Sequence, residues 1–204
     1  MLHPDIIIGY TEELGQTLVA RRAIPLGTII YVPDPLTVVV PPDSPWQNHP
    51  VYGERLRSHG ILLDDGCRLL AADGSQDTNH CCRGASVNGP LGVSILGRAV
   101  FAGEVICEDY RHYVRPPQVV PAAYACCAEC PLWVGLDWDR AEWETEIRAA
   151  LAQIDRVPQP LTEAVLDAGL AQALREGQAG DYLTDLIPVY PTGKELAYGA
   201  VGGP

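Results

Sequence analysis

Residues 77–110 read DTNHCCRGASVNGPLGVSILGRAVFAGEVICEDY, and this stretch holds most of the side chains with which the chain can do chemistry. It opens on an Asn-His-Cys-Cys run and ends on an Asp-Tyr pair. Its part 98–106, RAVFAGEVI, repeats the earlier part 22–30, RAIPLGTII, with Arg, Ala, Gly and the last Ile in register. Because two copies are too few for a solenoid, the repeat predicts two similar strand-turn-strand corners in one domain.

The segments on either side of this stretch are predicted to form short strands joined by turns. The chain has 204 residues and is 47% hydrophobic, which is enough for a buried core, and its 20 glycines and 18 prolines favour turns. Residues 41–59 show no clear period and are interpreted as a loop with at most one helical turn. Apolar and β-branched runs predict hairpin arms at 5–10 with 17–22 and at 60–63 with 67–71, and strands at 28–32 and 36–40. The expected fold class is therefore mainly β with helices (α+β).

Helices are predicted in the last third of the chain. Apolar residues fall at helical spacing at Trp143, Ile147, Ala150, Leu151 and Ile154, and a second helix is expected at about 161–176. The segment before them carries three prolines and is expected to be extended. We therefore divide the chain into a β-rich domain, 1–135, and a helical C-terminal extension, 136–204.

The charge of the chain indicates what it binds. A formal net charge of -12 disfavours a nucleic-acid partner, since phosphate backbones are bound by basic surfaces, and it favours a basic protein partner. Net charge also simply keeps proteins apart in solution, and that interpretation stays open. The N-terminus lacks the pattern of a secretory signal and no run of 18 apolar residues occurs, so we expect a cytoplasmic protein without a membrane segment.

The cysteines suggest a metal site or reduced thiols rather than disulfides. Seven is an odd number, and the clustering is unlike a secreted disulfide framework. The C-x-x-C spacing of Cys127 and Cys130, with Cys82 and Cys126, is a candidate zinc set, although adjacent Cys126 and Cys127 do not both ligate easily. Buried free thiols are the alternative. A Cys81 nucleophile activated by His80 is disfavoured, since neighbours in a strand point to opposite faces.

Three motifs, in order, make the chain resemble the SET domain, the fold of protein-lysine methyltransferases that use S-adenosylmethionine. Residues 14–28, LGQTLVARRAIPLGT, resemble the opening glycine loop of that family and its following corner. The run 79–82 resembles its Asn-His-Ser-Cys motif, and 103–110, GEVICEDY, resembles its closing Gly-Glu-Glu-Leu-Thr-Phe-Asp-Tyr. The resemblance implies a SET-type β-clip fold of small sheets with a pseudoknot over 1–135, including a short post-SET cysteine segment.

The resemblance also implies a reaction and the residues that perform it. The chain would transfer a methyl group from S-adenosylmethionine to a lysine amine of a protein substrate, with Tyr110 as the catalytic tyrosine. The cofactor would be held by the glycine loop, by the Asn-His pair and by an aromatic cover over the adenine, which are Gly15, Gln16, Thr17, Asn79, His80 and Trp133.

Departures from the family pattern motivate an alternative. Thr17 stands where the second glycine of the loop is expected, and Arg83-Gly84-Ala85 replaces the usual Asp-Pro-Asn. The post-SET spacing Cys-x-Cys-x4-Cys is also absent. The alternative is a catalytically drifted SET-like module that binds a basic protein partner.

Overall fold

Ten short strands and two α-helices form the regular structure of the part of the chain that the computed structural model describes, residues 1–32, 37–62, 65–71, 73–89, 93–110, 126 and 140–161. The expected class, mainly β with helices, is confirmed. The strands are β1 Ile6–Thr11, β2 Gly15–Ala20, β3 Ile29–Tyr31, β4 Val38–Val40, β5 Ile61–Leu62, β6 Arg68–Leu70, β7 Asn79–His80, β8 Ser86–Asn88, β9 Ser94–Leu96 and β10 Val105–Glu108. The α-helices are α1 Tyr52–His59 and α2 Arg140–Leu151, and 3-10 helices lie at Pro45–Asn48, Ser75–Asp77 and Ile154–Arg156.

The larger sheet carries the segments that the sequence singled out. Its strand order is β1-β2-β10-β8-β9-β3, and β7 pairs with β10 outside this path. The predicted hairpin β1–β2 is confirmed, with register from Ile6↔Ala20 to Thr11↔Gly15. Strand β10 is antiparallel to β2 but parallel to both β7 and β8. Parallel neighbours need a long connection, and this pairing brings the Asn-His strand beside the strand that precedes the Asp-Tyr pair.

The two repeated corners pair with each other. Ile24 and Val100 form an antiparallel bridge in which each backbone N–H donates to the other carbonyl, at 3.0 and 2.9 Å. The corner glycines, Gly27 and Gly103, both have positive φ, +84° and +82°. Glycine tolerates this conformation without the steric cost that a side chain would add. The internal repeat therefore corresponds to two matching turns that meet at one backbone bridge.

One face of the larger sheet is covered by α2. Four of the five apolar positions predicted from helical spacing are buried in one cluster with residues of β3, β8 and β9, and the side chain of the fifth, Trp143, is outside the described part. The cluster comprises Ile29, Val32, Val87, Val93, Ile95, Ile147, Ala150, Leu151, Ile154 and Leu161. Gln159 adds polar links, since its Oε1 accepts from Ile29 N–H at 2.9 Å and its Nε2 donates to the Gly27 carbonyl at 2.8 Å. The described part of the predicted C-terminal extension is thus packed into the core of the β domain.

The opposite face of the larger sheet is apolar around β2, β9 and β10, where Leu18, Leu96 and Ile106 are buried. The smaller sheet, of order β4-β6-β5, contains the second predicted hairpin, β5–β6, and α1 packs beside β6. The interpretation of 41–59 as a loop with at most one helical turn is wrong, because this segment contains a 3-10 helix and α1. Only Gly53 and Leu56 of α1 are buried, which is too few apolar positions to produce a period.

Some predictions fall outside the described residues: the boundary at 135/136, the extended segment 111–124, and the second helix beyond Leu161. Among the described residues, no helix is long and apolar enough to cross a membrane.

Candidate functional site

The glycine loop lies at the tip of the β1–β2 hairpin. Gly15 begins β2 with a φ of +71°, and a Cβ added there would meet no atom of the described residues within 4 Å. Leu14 N–H donates to Thr11 Oγ1 at 3.0 Å, which closes the turn. Glycine is therefore required here by backbone conformation, and the space over it is open.

Asn79 ties this loop to β7. Its Nδ2 donates to the carbonyl of Gln16 at 2.8 Å, across 63 residues of sequence, and lies 3.4 Å from the carbonyl of Asp77. An amide with two N–H groups can hold two carbonyls in this way. The structure thus brings together Gln16 and Asn79, which the sequence assigned to one site from two separate motifs.

His80 and Tyr110 form the second half of the site. The backbone N–H of Tyr110 donates to His80 Nδ1 at 3.1 Å, so the proton of a neutral imidazole lies on Nε2. The Tyr110 hydroxyl donates to the carbonyl of Thr78 at 2.6 Å, and the His80 and Tyr110 ring centroids are 5.2 Å apart. Two contacts, one through the backbone and one through the hydroxyl, fix the tyrosine beside the Asn-His strand.

Thr17, the third residue of the predicted cofactor loop, points into the core. It is fully buried, and its Oγ1 has no hydrogen-bond partner among the described residues. A buried hydroxyl without a partner costs about 1–3 kcal/mol. The Thr17 hydroxyl is thus shielded from solvent, whereas the described residues leave the space over Gly15 open.

The Arg83-Gly84-Ala85 segment is held close to β10. Cys81 N–H donates to the Glu108 carbonyl at 2.9 Å, and Gly84 N–H donates to the Cys81 carbonyl at 2.9 Å. A Cβ on Gly84 would lie 2.6 Å from the Cys107 carbonyl oxygen and 3.0 Å from Glu108 Cα. Only glycine fits such a close approach of two backbones.

Two of the four proposed zinc ligands are in contact. Cys82 Sγ and Cys126 Sγ are 3.4 Å apart, and Cys82 N–H donates to Cys126 Sγ at 3.2 Å. A disulfide would require about 2.05 Å, whereas two thiolates on one tetrahedral zinc, at Zn–S of about 2.3 Å, lie about 3.8 Å apart. The 3.4 Å separation is that of a hydrogen bond from the Cys126 thiol to Cys82 Sγ, longer than a disulfide and shorter than the edge of a zinc site. No group of three or more metal-ligating side chains occurs within the described residues, and Cys127, Cys130 and Trp133 lie outside them.

Cys107, which lies in β10, is a poor nucleophile. Burial raises the pKa of Cys107 to about 11, with the charges of Cys81 and Glu108 adding to the effect. Cys107 is thus a neutral thiol at neutral pH. His80 Nδ1 is engaged by Tyr110 N–H. These contacts agree with the sequence argument against a cysteine hydrolase.

A row of buried polar residues was missed by the sequence argument. Ser86, Asn88, Ser94 and Glu108 are at most 6% exposed, and Ser86 Oγ donates to Glu108 Oε1 at 3.0 Å. One signal was available: alternation along β10 places Glu108 on the same face as Ile106, which faces the core. A carboxylate in the inward phase of a strand is uncommon and indicates a specific role.

The comparisons with known proteins leave the family assignment open. No protein-family model matches the chain, and the search of curated proteins finds no significant match.

Proposed function

We propose that this chain is a SET-type methyltransferase that transfers a methyl group from S-adenosylmethionine to a lysine amine of a protein substrate. The observation that carries the proposal is the meeting of three separate motifs through hydrogen bonds. Asn79 bonds to Gln16 of the glycine loop, and Tyr110 bonds to His80 and to Thr78 of the Asn-His segment. These hydrogen bonds bring the three motifs together in the way that a shared cofactor site requires.

Methyl transfer makes modest demands on side-chain chemistry. S-adenosylmethionine, when bound, supplies a methyl group on a sulfonium, and the attacking group is a neutral amine. The protein has to align the amine and exclude water rather than supply a nucleophile. The Tyr110 hydroxyl is suited to this task, because the Thr78 carbonyl orients its proton and its oxygen has two lone pairs to accept an amine N–H.

The described residues suggest how the cofactor would be held. The open space over Gly15 admits a ligand close to the backbone of the loop. Asn79 donates an amide N–H to the Gln16 carbonyl, so it would fix the loop relative to β7. We propose Gln16 and His80 as further contacts, and Trp133 as the cover of the adenine. Thr17 would contribute only after a rearrangement, since it is fully buried.

Zinc and the substrate complete the proposal. Cys82 and Cys126 would supply two zinc ligands, with Cys127 or Cys130 completing the set. The net charge of -12 would attract a basic protein segment that carries the lysine.

The second candidate function is a drifted SET-like module that binds a basic partner without catalysis. The burial of Thr17 favours it, because its hydroxyl is not available to a cofactor in the loop where the family has a second glycine. In this case the same hydrogen bonds would serve only to hold the fold.

Calorimetry and methyl transfer together separate these functions. We expect S-adenosylhomocysteine to bind the wild-type protein, and labelled methyl groups to appear on a lysate protein. Tyr110→Phe should retain binding and lose roughly 100-fold or more of the transfer rate, the scale of one lost transition-state contact. Tyr52→Phe is the matched control, since Tyr52 is exposed on α1.

The outcomes differ for each hypothesis. Binding without transfer to any protein would favour the binding module. The absence of both binding and transfer, or an unchanged transfer rate in Tyr110→Phe, would reject the enzyme.

A further inference from the structure

A cavity lies between the two sheets on the face opposite α2. Its volume is about 60 Å³, and its lining comes from both sheets and from the segment that precedes β7. Leu18 and Ile30 line it from the larger sheet, and Ile61 and Leu69 from the smaller one. We call this cavity the inter-sheet pocket. Its walls are mainly apolar.

The missed polar row faces this pocket. Strand pairing sets Asn88 opposite Ser94, and β10 pairs with β8 through Glu108 and Ser86, so these side chains share one face of the sheet. Asn88, Ser94 and Glu108 line the pocket. Glu108 therefore borders an apolar cavity while it is only 6% exposed, and one of its carboxylate oxygens, Oε1, accepts from Ser86 Oγ.

The dimensions and charge define the class of ligand. A water molecule needs roughly 10–15 Å³ of such a cavity, so about four or five non-hydrogen atoms fit. Apolar walls suit methylene groups, and a buried carboxylate favours a cation with several N–H donors. A chain of three or four carbons that ends in an ammonium meets both conditions.

We propose that the inter-sheet pocket binds a primary alkylammonium group, with the Glu108 carboxylate accepting its hydrogen bonds. Two sources share this chemistry, a lysine side chain of a protein and a free small amine. Thr78 connects the pocket with the candidate site, because it lines the pocket and its carbonyl accepts from the Tyr110 hydroxyl. If the occupant is a substrate lysine, the inference rests on the proposed function and assigns Glu108 as the residue that selects the amine.

The test titrates the full chain with n-butylammonium and follows the methyl NMR signals of Ile30 and Leu69. We expect saturable shifts with n-butylammonium and at least tenfold weaker binding of 1-butanol, which has the same length without the charge. Glu108→Gln should weaken n-butylammonium binding at least tenfold. Glu104→Gln removes a carboxylate outside the pocket and should leave binding unchanged.

A second variant guards against a folding defect in Glu108→Gln. Ile61→Phe keeps Glu108 and adds bulk to the half-buried wall, so it should also reduce n-butylammonium binding. A lysine-containing peptide that competes with n-butylammonium, where the same peptide with norleucine does not, identifies a protein side chain as the occupant. Competition by free amines alone identifies a small-molecule site.

Several results would overturn the inference. They are binding of 1-butanol as tight as that of n-butylammonium, and undiminished binding of n-butylammonium in Glu108→Gln. The absence of any saturable shift would likewise show that the pocket holds only water. None of these readouts uses S-adenosylmethionine or methyl transfer. A failure of the proposed enzyme therefore leaves the pocket standing, and a failure of the pocket leaves the enzyme testable through Tyr110.

Discussion

The two matching corners of the internal repeat provide a controlled test of how α2 is held. Gly27 and Gly103 occupy equivalent repeat positions and have nearly the same φ, +84° and +82°. A Cβ on Gly27 would lie 2.4 Å from Gln153 Cβ and 2.9 Å from the Ala150 carbonyl oxygen, whereas one on Gly103 would meet no atom of the described residues within 4 Å. Both alanine variants therefore lose stability from the positive φ, and only Gly27→Ala also loses stability from a steric clash with the end of α2.

The magnitudes follow from these contacts. Alanine in the left-handed region costs about 1–2 kcal/mol, which is the whole expected loss for Gly103→Ala. Overpacking adds about 1–3 kcal/mol, so Gly27→Ala should lose roughly 2–5 kcal/mol in total. For a domain of this size, each kcal/mol lowers Tm by about 2–4 °C. Gly27→Ala should thus melt several degrees below Gly103→Ala.

Urea unfolding of both variants, followed by circular dichroism, measures the difference directly. We expect the free energy of unfolding of Gly27→Ala to lie about 1–3 kcal/mol below that of Gly103→Ala. Equal losses in the two variants would refute the packing of Gly27 against the end of α2. A larger loss in Gly103→Ala would refute the geometry of both corners.

Three further substitutions or reagents test other contacts. The Glu104 carboxylate accepts from Phe101 N–H at 2.9 Å and from the Arg98 guanidinium at 2.5 Å. The bond to the Phe101 backbone, and after it the arginine, lower the pKa of Glu104. The ionised side chain therefore stabilises the fold near neutral pH, and this stabilisation is lost as pH falls through the lowered pKa. Glu104→Gln should lower the free energy of unfolding by roughly 0.2–1 kcal/mol at pH 7 and leave it unchanged in acid. Unfolding measured at a series of pH values checks this, and a larger loss in acid than at pH 7 would contradict it. Cys107, with a pKa raised to about 11 by burial, should remain unalkylated by iodoacetamide at pH 8. The reference is the exposed thiol of Cys126, which should be modified in peptide mass spectra once a chelator has removed any zinc, and early modification of Cys107 would count against its burial. Gln159→Ala should lower the free energy of unfolding in urea by about 1–3 kcal/mol, because the Ile29 N–H and the Gly27 carbonyl lose their bonds to the Gln159 amide. An unchanged midpoint of urea unfolding would show that these two bonds do not stabilise the fold.

Local patterns predicted the local structure. Alternating apolar residues and turn residues placed the β1–β2 and β5–β6 hairpins, and helical spacing placed the buried face of α2. Helix α1 was missed because only Gly53 and Leu56 are buried, and Gly53 is selected by contact with the Gln47 carbonyl rather than by hydrophobicity. The parallel pairing of β10 with β7 and β8 could not be predicted from hydrophobic periodicity either, because these segments share no sequence pattern.

The candidate site shows the same division. Resemblance to a family selected Asn79, His80 and Tyr110 by residue type, but two of the bonds that join them to the fold end on backbone carbonyls, of Gln16 and Thr78. Backbone acceptors leave no trace in a sequence, because every residue has one. Side-chain identity therefore indicated which residues belong to the site, whereas their hydrogen-bond partners could be identified only in the structure.

The Arg83-Gly84-Ala85 segment bears on the choice between an enzyme and a drifted binding module. From sequence it was a departure from the family and counted toward drift. The close approach of Gly84 to the Cys107 carbonyl, at 2.6 Å for an added Cβ, gives the glycine a packing reason. The hydrogen bonds of Asn79 and Tyr110 run to other residues, so the altered segment leaves them intact. Drift is therefore favoured by the buried hydroxyl of Thr17 and by the absent post-SET spacing, and cofactor binding decides between the two functions.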